Sequence, residues 1–229
     1  MSMAETERKL TVRNLSRENV LEDISFDVYE NEFLVILGPG QCGKTTLLNM
    51  MAEMEEETSF VFQRYGLFNW KNVLQNVAAP LKYKGVDKKT RNRVARKYID
   101  LVGLTGFENA YPAQLSGGMK QRVGIARAYA GGNSIILMDE PFSALDAQTR
   151  YQMQDEILKI RNKEKATIVF VTNNIEEAIT LGDRILLFSS KPGRIVKEYI
   201  PDLKRPRSHT SREFMNLRND ISDHMDLVL

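Results

Sequence analysis

The sequence predicts an α/β fold with a largely parallel sheet, into which an all-helical sub-domain is inserted. Three observations predict this architecture. Short apolar runs alternate along the chain with stretches in which apolar residues recur at helical spacing. A glycine-rich loop stands between one predicted strand and a predicted helix. From Tyr65 to Ala130 the pattern is helical and no strand is predicted, so this segment is expected to be the insertion.

The first predicted elements are two strands and a helix. Residues Ile24–Val28 alternate apolar and polar side chains, as a half-buried strand does, whereas Phe33–Leu37 is a continuous apolar run typical of a buried strand. Helical spacing begins at Lys44, after the glycine-rich loop. A short strand, Phe60–Phe62, then leads to Gln63 and the insertion.

The insertion contains a strong helix signal. Val94, Tyr98 and Val102 recur at helical spacing after Asp87, which is a residue type that favours the N-cap. The same segment is strongly basic, which predicts a solvated face or, alternatively, contact with anionic lipid or a partner. Its basic residues are Lys88, Lys89, Arg91, Arg93, Arg96 and Lys97. No aromatic residues are interleaved with them, so nucleic acid is not expected to bind there.

After the insertion, strands and helices alternate again. One helix is expected after an N-cap at Asp146, and another in the polar tail near Ser211–Met225. Four strands are predicted in this half, and the last is an edge strand beyond the turn Lys191-Pro192-Gly193. They are Ile135–Met138, Thr167–Thr172, Arg184–Ser189 and Arg194–Tyr199.

These elements predict one domain over residues 1–229. Residues 1–64 and 131–200 would form the α/β core, residues 65–130 the helical sub-domain, and residues 201–229 a C-terminal tail with a helix. A chain of 229 residues with 42% hydrophobic side chains is long enough to bury a sizeable core.

The composition narrows the possible classes of protein. The single cysteine, Cys42, allows no disulfide within the chain, which fits a reducing compartment. The first ten residues lack the apolar segment of a secretory signal, and the apolar runs are far too short to cross a bilayer. A net charge of +2 does not favour nucleic acid as a partner. The chain is therefore expected to be soluble, or bound to a membrane only through a partner.

The glycine-rich loop, GPGQCGKTT, matches the pattern G-x-x-x-x-G-K-[ST] of a phosphate-binding loop. Successive backbone N–H groups in such a loop form a concave anion site at a helix N-terminus. Lys44 would place a positive charge on the terminal phosphates, and Thr45 would offer its hydroxyl to Mg²⁺. The predicted nucleotide-binding residues here are Gly38, Pro39, Gly40, Gln41, Cys42, Gly43, Lys44, Thr45 and Thr46.

Two carboxylates follow the predicted strand Ile135–Met138. The carboxyl ends of parallel strands share one edge of a sheet, so Asp139 and Glu140 are expected beside the phosphate loop. Asp139 would hold Mg²⁺ through water, and Glu140 would orient or deprotonate an attacking water. Taken alone, this pair could also be a solvated strand end or a helix cap.

A third motif, LSGGMKQR, opens a predicted helix at Leu115 to Arg122. Together with the two sites above, it resembles the ATP-binding cassette (ABC) ATPases, which have a P-loop, RecA-like core. The SALD segment, Ser143 to Asp146, looks like the D-loop of that family. Gln63 looks like its Q-loop glutamine, and the resemblance implies that Gln63 serves in catalysis and at Mg²⁺.

The resemblance implies that the chain binds ATP and Mg²⁺ and hydrolyses ATP. Ser116, Gly117 and Gly118 make a second anion site at a helix start, which in this family closes on ATP held by the opposite subunit. A head-to-tail dimer with a second ABC ATPase subunit is therefore implied.

Three segments look most like importer subunits of the nitrate, sulfonate and taurine group: LFNWKNVLQNV, MDEPFSALDAQTR and KPGRI. The resemblance then implies transmembrane permease subunits and a solute-binding protein as partners, and no nucleic acid. It implies a cytoplasmic location, peripheral on the inner face of the cell membrane. Phe68 and Trp70 would lie near the groove where a permease helix docks, or would simply pack the helical sub-domain.

The chain departs from the family pattern at several positions. The family phosphate loop usually carries glycine where this chain has Gln41, which would cost about 1–2 kcal/mol if φ there is positive. No aromatic residue precedes Val20, although the family usually stacks adenine on one there, and Ala113 replaces a frequent histidine.

The spacing between Lys44 and Gln63 is also shorter than usual, so the antiparallel β region appears reduced. A true deletion and an omitted disordered loop would both produce this spacing. A helix and one short strand can still be connected within it.

At the position of a family histidine that faces the γ-phosphate, this chain has Asn173, followed by Asn174. An asparagine amide can also donate a hydrogen bond, but it is shorter and neutral. Hydrogen bonds to charged groups contribute about 1.5–3 kcal/mol and neutral ones about 0.5–1.5 kcal/mol, so we expect a loss of about 1–2 kcal/mol. Hydrolysis is therefore expected to be slow but real, with Glu140, Gln63, Asn173 and Lys44 as catalytic residues.

Two other interpretations remain open at the level of sequence. A degenerate cassette would bind ATP, hydrolyse it poorly and act as a regulatory or structural partner, and the departures above keep this alternative open. A relative acting on DNA or the ribosome is less favoured, because the chain has neither a long coiled coil nor a second cassette.

Overall fold

A computed structural model of the chain describes residues 7–226. The ends of the predicted domain, residues 1–6 and 227–229, lie outside the described residues. By its packing, the described chain divides into two compact units. The first unit comprises residues 7–56 and 165–226, and the second comprises residues 57–164.

The described residues form eight strands and eight α-helices. In chain order the strands are β1 (Arg8–Arg17), β2 (Leu21–Tyr29), β3 (Phe33–Leu37), β4 (Thr58–Val61), β5 (Ile135–Asp139), β6 (Thr167–Thr172), β7 (Arg184–Phe188) and β8 (Ile195–Tyr199). The helices are α1 (Lys44–Met54), α2 (Val73–Val77), α3 (Ala79–Tyr83), α4 (Lys88–Leu101), α5 (Gly117–Ala130), α6 (Ala147–Glu164), α7 (Ile175–Leu181) and α8 (Arg212–Asp226).

The first unit contains a sheet in the order β6-β3-β7-β8. Strand β3 pairs in parallel with β6 and β7, and β8 runs antiparallel at the edge. Every residue of β3, β6 and β7 is buried, which explains why these strands read as nearly continuous apolar runs. Helix α7 packs against β3 and β6, and α8 packs on α7.

A separate antiparallel ribbon of β1 and β2 also belongs to the first unit. The sequence analysis did not predict β1 as an element. Of its ten residues only Leu10 and Val12 are buried, and its pairing with β2 is irregular at three places, so the period-2 signal is weak.

The second unit pairs β4 with β5 in parallel and contains the predicted helical insertion between them. Helices α2, α3 and α4 pack against α5. As predicted, no strand lies between Tyr65 and Ala130. The side chains of Asp87 and Asp146 accept backbone hydrogen bonds at the starts of α4 and α6, so both predicted N-caps are confirmed.

The segment between Lys44 and Gln63 contains only α1 and β4 in the structure. No antiparallel hairpin occurs among these residues, all of which are described. The predicted strand Phe60–Phe62 is wrong at both ends, because β4 is Thr58–Val61. Phe62 instead begins a turn, since its carbonyl accepts a hydrogen bond from the Tyr65 N–H, and its side chain is 46% exposed.

Candidate functional site

The glycine-rich loop lies in the first unit and joins β3 to α1, as its sequence pattern predicts. Gly43 occupies the N-cap of α1 with φ of 100°, and no side chain caps the helix. A Cβ at Gly43 would lie 2.8 Å from Leu21 Cδ2, so both the backbone angle and the space require glycine there. An uncapped helix start behind a glycine-rich turn is suited to an anion.

Gln41 has φ of 64°, the left-handed conformation that usually belongs to glycine. The positive φ that would strain the backbone at Gln41 is therefore present, and it destabilises the loop by about 1–2 kcal/mol. The neighbouring Gly40 has no atom within 4 Å of its would-be Cβ. A side chain would therefore fit at position 40, whereas at position 41 glycine would be less strained than glutamine.

Lys44 is buried against its own loop. Its Nζ donates to the carbonyl oxygens of Gly38 and Pro39 at 2.9 and 2.7 Å, and the residue is 4% exposed. An ammonium group held in this position carries its charge inside the curve of the loop, where an anion would be attracted to it. Thr45, the next residue, is exposed and Thr46 is half-buried.

The end of β6 adjoins this loop within the same unit. The Gly38 N–H donates to the carbonyl of Thr172 at 3.3 Å. The Thr172 hydroxyl donates to the buried carboxylate of Glu177 at 2.6 Å, and Asn174 caps α7 by accepting from the Glu177 N–H. Asparagine caps a helix about as well as aspartate, so Asn174 keeps the local structure intact.

Asn173 stands between these two supporting residues and is exposed. Its side chain makes no hydrogen bond to any other residue in the described part of the chain. The amide is therefore available to donate to a ligand beside the loop, as expected for a residue that faces a phosphate.

Three other predicted residues come together in the second unit. Gln63 Nε2 lies 3.3 Å from the hydroxyl of Ser143 and 3.5 Å from the Glu140 carboxylate. The Ser143 hydroxyl donates to the Glu140 carbonyl at 2.8 Å. The structure therefore places the Gln63 amide beside the carboxylate of the candidate general base, and the Ser143 hydroxyl on the backbone of the same residue.

The two acids at the end of β5 differ in environment. Asp139 is 8% exposed, whereas Glu140 is half-buried. Glu140 has φ of 39°, a backbone strain that turns the chain sharply as it leaves the strand. Such strain is concentrated at functional sites, where the surrounding structure maintains it.

The LSGG motif begins α5, and Ser116 caps this helix by accepting from the Met119 N–H. A Cβ at Gly117 would lie 2.9 Å from the Tyr65 hydroxyl oxygen, and a Cβ at Gly118 would lie 2.9 Å from Thr149 Cγ2. The two glycines therefore leave no room for side chains in the unit itself. The sequence analysis missed Tyr65 and Thr149, because they lie far from the motif in the chain and match no pattern of their own.

Thr149, which lies beside Gly118, also forms hydrogen bonds with Asp146 of the segment that resembles a D-loop. Hydrogen bonds from the backbone N–H and the hydroxyl of Thr149 hold the pKa of Asp146 below its ordinary value. Asp146 therefore stays ionised and keeps α6 capped at neutral pH.

Aromatic residues line a groove of about 420 Å³ in the second unit. Phe60, Phe62, Phe68 and Tyr83 form its walls, and Tyr83 is 76% exposed. The half-buried ring of Phe68 lies tilted against that of Trp70, with 5.5 Å between the ring centroids, and Trp70 is 73% exposed. Exposed aromatic surface of this kind marks interaction sites.

A family model described as ABC transporter matches residues 21–143. The chain is 47% identical over 239 residues to an uncharacterized ABC transporter ATP-binding protein of Methanocaldococcus jannaschii, covering 93% of this chain and 90% of that protein. It is 40% identical over 220 residues to the aliphatic sulfonates import ATP-binding protein SsuB of Bacillus anthracis, covering 88% of this chain and 86% of SsuB.

Among solved structures, the chain is similar to an ATP-binding cassette in a dimeric, post-hydrolysis state bound to ADP and Pi. The TM-score is 0.71 at 29% identity, covering 83% of this chain and 97% of that one. The archaeal alignment above is longer than the present chain, so that relative carries residues with no counterpart here. An internal shortening such as that between Lys44 and Gln63 would produce this difference.

Proposed function

The chain belongs to the ABC transporter family of ATP-binding proteins, and we propose that it is the ATP-hydrolysing subunit of an importer for small anionic solutes of the nitrate, sulfonate or taurine kind. The contact of Gln63 with Glu140 and Ser143 is the observation that carries the hydrolytic role. The similarity to SsuB supports import of a sulfonate-like solute.

The phosphate loop supplies the binding chemistry in this proposal. Its backbone N–H groups at the start of α1 would receive the phosphates, and Lys44 would exchange its hydrogen bonds with Gly38 and Pro39 for phosphate oxygens. Strained backbone at Gln41 lowers the stability of the loop but does not remove a donor, because Gln41 keeps its N–H.

The donors proposed for Mg²⁺ fit that ion. The Thr45 hydroxyl, the Asp139 carboxylate and the Gln63 amide oxygen are hard oxygen ligands, which Mg²⁺ prefers, often through intervening water. When bound with ATP, Mg²⁺ neutralises charge on the phosphate oxygens. Asp139 and Gln63 belong to the second unit and Thr45 to the first.

Glu140 is proposed to accept the proton of the attacking water. The Gln63 amide lies beside its carboxylate, and the Ser143 hydroxyl donates to its backbone carbonyl. These contacts would restrict Glu140 before the substrate binds. Asn173 is proposed to donate to the γ-phosphate, as a weaker donor than histidine. This substitution would make the enzyme slower without abolishing hydrolysis.

The proposal implies a second cassette subunit and a permease subunit as partners. A second cassette subunit would present its Ser116, Gly117 and Gly118 to the ATP of this one, in a head-to-tail dimer. The similar cassette bound to ADP and Pi is dimeric, which supports this arrangement. The aromatic groove formed by Phe60, Phe62, Phe68 and Tyr83 would receive an apolar helix of a permease subunit.

A permease partner would keep the chain at the inner face of the cell membrane, and a solute-binding protein would complete the importer. No helix among residues 7–226 is both long and apolar enough to cross a bilayer. Membrane attachment in this proposal therefore comes from the groove and its partner.

The proposal is tested by comparing ATP hydrolysis by the wild type and by Glu140→Gln. The amide keeps the size of the side chain but cannot accept the proton, so the rate is expected to fall by roughly 10²–10⁴-fold with ATP affinity retained. Lys204→Ala, at an exposed position outside the proposed site, serves as the control and should keep the wild-type rate. Equal background rates in the wild type and Glu140→Gln would refute hydrolysis.

A further inference from the structure

The turn between β7 and β8, which contains Lys191-Pro192-Gly193, lies directly behind the phosphate loop in the first unit. We propose that Gly193 is a positioning residue for nucleotide binding: its lack of a side chain lets this turn support the Cys42 carbonyl from behind and so orient the Gly43 N–H. The inference rests on the proposed phosphate-binding role of the loop. No part of the proposed chemistry above uses this turn.

The approach of the two segments is very close. A Cβ at Gly193 would lie 2.2 Å from the Cys42 carbonyl oxygen and 3.4 Å from its carbonyl carbon. Both are backbone atoms of the phosphate loop, so they cannot move aside as the end of a flexible side chain can. The same Cβ would lie 3.2 Å from Leu21 Cδ2, an atom that would also lie 2.8 Å from a Cβ at Gly43.

The turn is anchored and cannot easily retreat. The Gly193 N–H donates to the Val20 carbonyl at 2.8 Å, and the Gly193 carbonyl accepts from the Glu22 N–H at 3.0 Å. The Ser189 hydroxyl donates to the Pro192 carbonyl and accepts from the Arg194 N–H. A side chain at position 193 must therefore either disrupt these four hydrogen bonds or displace the loop.

The carbonyl of Cys42 matters because of peptide planarity. It shares one rigid plane with the Gly43 N–H, and the two point in opposite directions. When the carbonyl is held from behind, the N–H must face the concave side of the loop. Moving this carbonyl rotates one of the proposed phosphate donors away from the anion.

The loop needs such external support because its own torsions are unfavourable. Gln41 has φ of 64° and Gly43 has φ of 100°, so Cys42 lies between two left-handed residues. Conformations of this kind persist only when the surrounding structure over-determines them. Cys42 itself is fully buried, and the turn at Gly193 forms part of its enclosure.

The test measures the dissociation constants of ATP and ADP for Gly193→Ala, together with its unfolding temperature. Both dissociation constants are expected to rise by roughly tenfold, because each nucleotide loses the same backbone donor. The rate at saturating ATP should change less than the affinity, since Glu140 and Gln63 are untouched.

Gly182→Ala is the matched control. Gly182 is also a closely packed glycine of the first unit, and its Cβ would lie 2.9 Å from the Ala178 carbonyl oxygen, but it lies at the end of α7, outside the phosphate loop. This variant should lower the unfolding temperature and leave the affinity for ATP unchanged. An equal loss of affinity in both variants would show a general structural effect and overturn the proposal.

A folded Gly193→Ala with wild-type affinity would also overturn it. If Gly193→Ala does not fold, Ser189→Ala removes two hydrogen bonds of the turn without any clash. A smaller rise in both dissociation constants is then expected, and no rise would refute the role of the turn. If the wild type binds ATP without hydrolysing it, the proposed function is refuted. The comparison of nucleotide affinities would still test the role of Gly193.

Discussion

At the scale of single residues, Asn173 is proposed to set the rate of ATP hydrolysis, because it would donate to the γ-phosphate where the family pattern has histidine. It is exposed and makes no side-chain hydrogen bond within the described chain, whereas Thr172 and Asn174 on either side form hydrogen bonds at the start of α7. The side chain at position 173 is therefore open to a ligand beside the loop. In this proposal, asparagine in place of histidine weakens the donor and keeps the hydrogen bonds of Thr172 and Asn174.

Asn173→His is expected to raise the rate of ATP hydrolysis by roughly 5–30-fold, because a longer and partly charged donor stabilises the γ-phosphate better by about 1–2 kcal/mol. Steady-state ATPase rates at saturating ATP would measure this. Asn174→Asp, which preserves the cap of α7, should leave the rate unchanged. An unchanged or lower rate in Asn173→His, with ATP affinity intact, would contradict the assignment.

At the scale of elements, the buried ion pair of Arg184 and Glu32 ties β7 to the segment that precedes β3. Arg184 Nε donates to Glu32 Oε1 at 2.7 Å, and the side chains are only 6% and 5% exposed. Burial by itself would lower the pKa of Arg184, but the hydrogen bond and charge of Glu32 outweigh it and raise the pKa. The guanidinium also donates to the Asp27 carbonyl of β2.

Arg184→Leu is expected to reduce the free energy of unfolding by about 3–5 kcal/mol, because it leaves the Glu32 carboxylate buried without its partner. Adding Glu32→Gln should recover part of this loss, since the neutral amide is less costly to bury. Urea denaturation would measure both variants. Arg218→Ala, which removes an exposed pair with Glu176, should change the stability by less than about 1 kcal/mol. A similarly small effect of Arg184→Leu would refute the importance of the buried pair.

Which elements could be predicted depended on their burial. Strands β3 and β6 match their predicted limits because all of their residues are buried and all are apolar except Thr167 and Thr172 at the two ends of β6. Strand β1 has too few buried residues to show a pattern. The prediction for β4 begins two residues too late and ends one residue too late, because it includes Phe62, which is 46% exposed and lies beyond the end of the strand. The rings of Phe60 and Phe62 stack with 4.5 Å between their centroids, and both residues line the groove described above.

At the scale of the whole molecule, the proposed dimer would divide hydrolysis between two chains, because the LSGG motif of one chain would serve the nucleotide of the other. Hydrolysis would then require two chains.

Mixing two inactive variants tests this division. Lys44→Ala removes the phosphate-loop charge, and Gly118→Ala places a Cβ 2.9 Å from Thr149 in the LSGG corner. In a head-to-tail dimer, one of the two sites in the mixed pair would be fully wild type. An equal mixture should therefore recover about one quarter of the wild-type ATPase rate, since half of the dimers are mixed. Each variant alone is the control, and no recovery on mixing would refute action in trans.

The amino-acid sequence alone was enough to predict the α/β class, a helical segment between Tyr65 and Ala130, and the residues proposed to carry phosphate and acid chemistry. These features follow from local patterns: apolar periodicity, glycine spacing and the order of motifs along the chain. The departures at Gln41 and Asn173 were also visible without any structure.

The residues that support those motifs from distant parts of the chain became visible only in the folded structure. Gly193 lies against the carbonyl of Cys42, and Tyr65 and Thr149 occupy the space in which side chains at positions 117 and 118 would lie. No sequence pattern encodes these contacts, because they join segments that are remote along the chain and depend on spaces in which a Cβ would come within 2–3 Å of another atom. Close packing makes such contacts specific, and it exists only after the chain has folded.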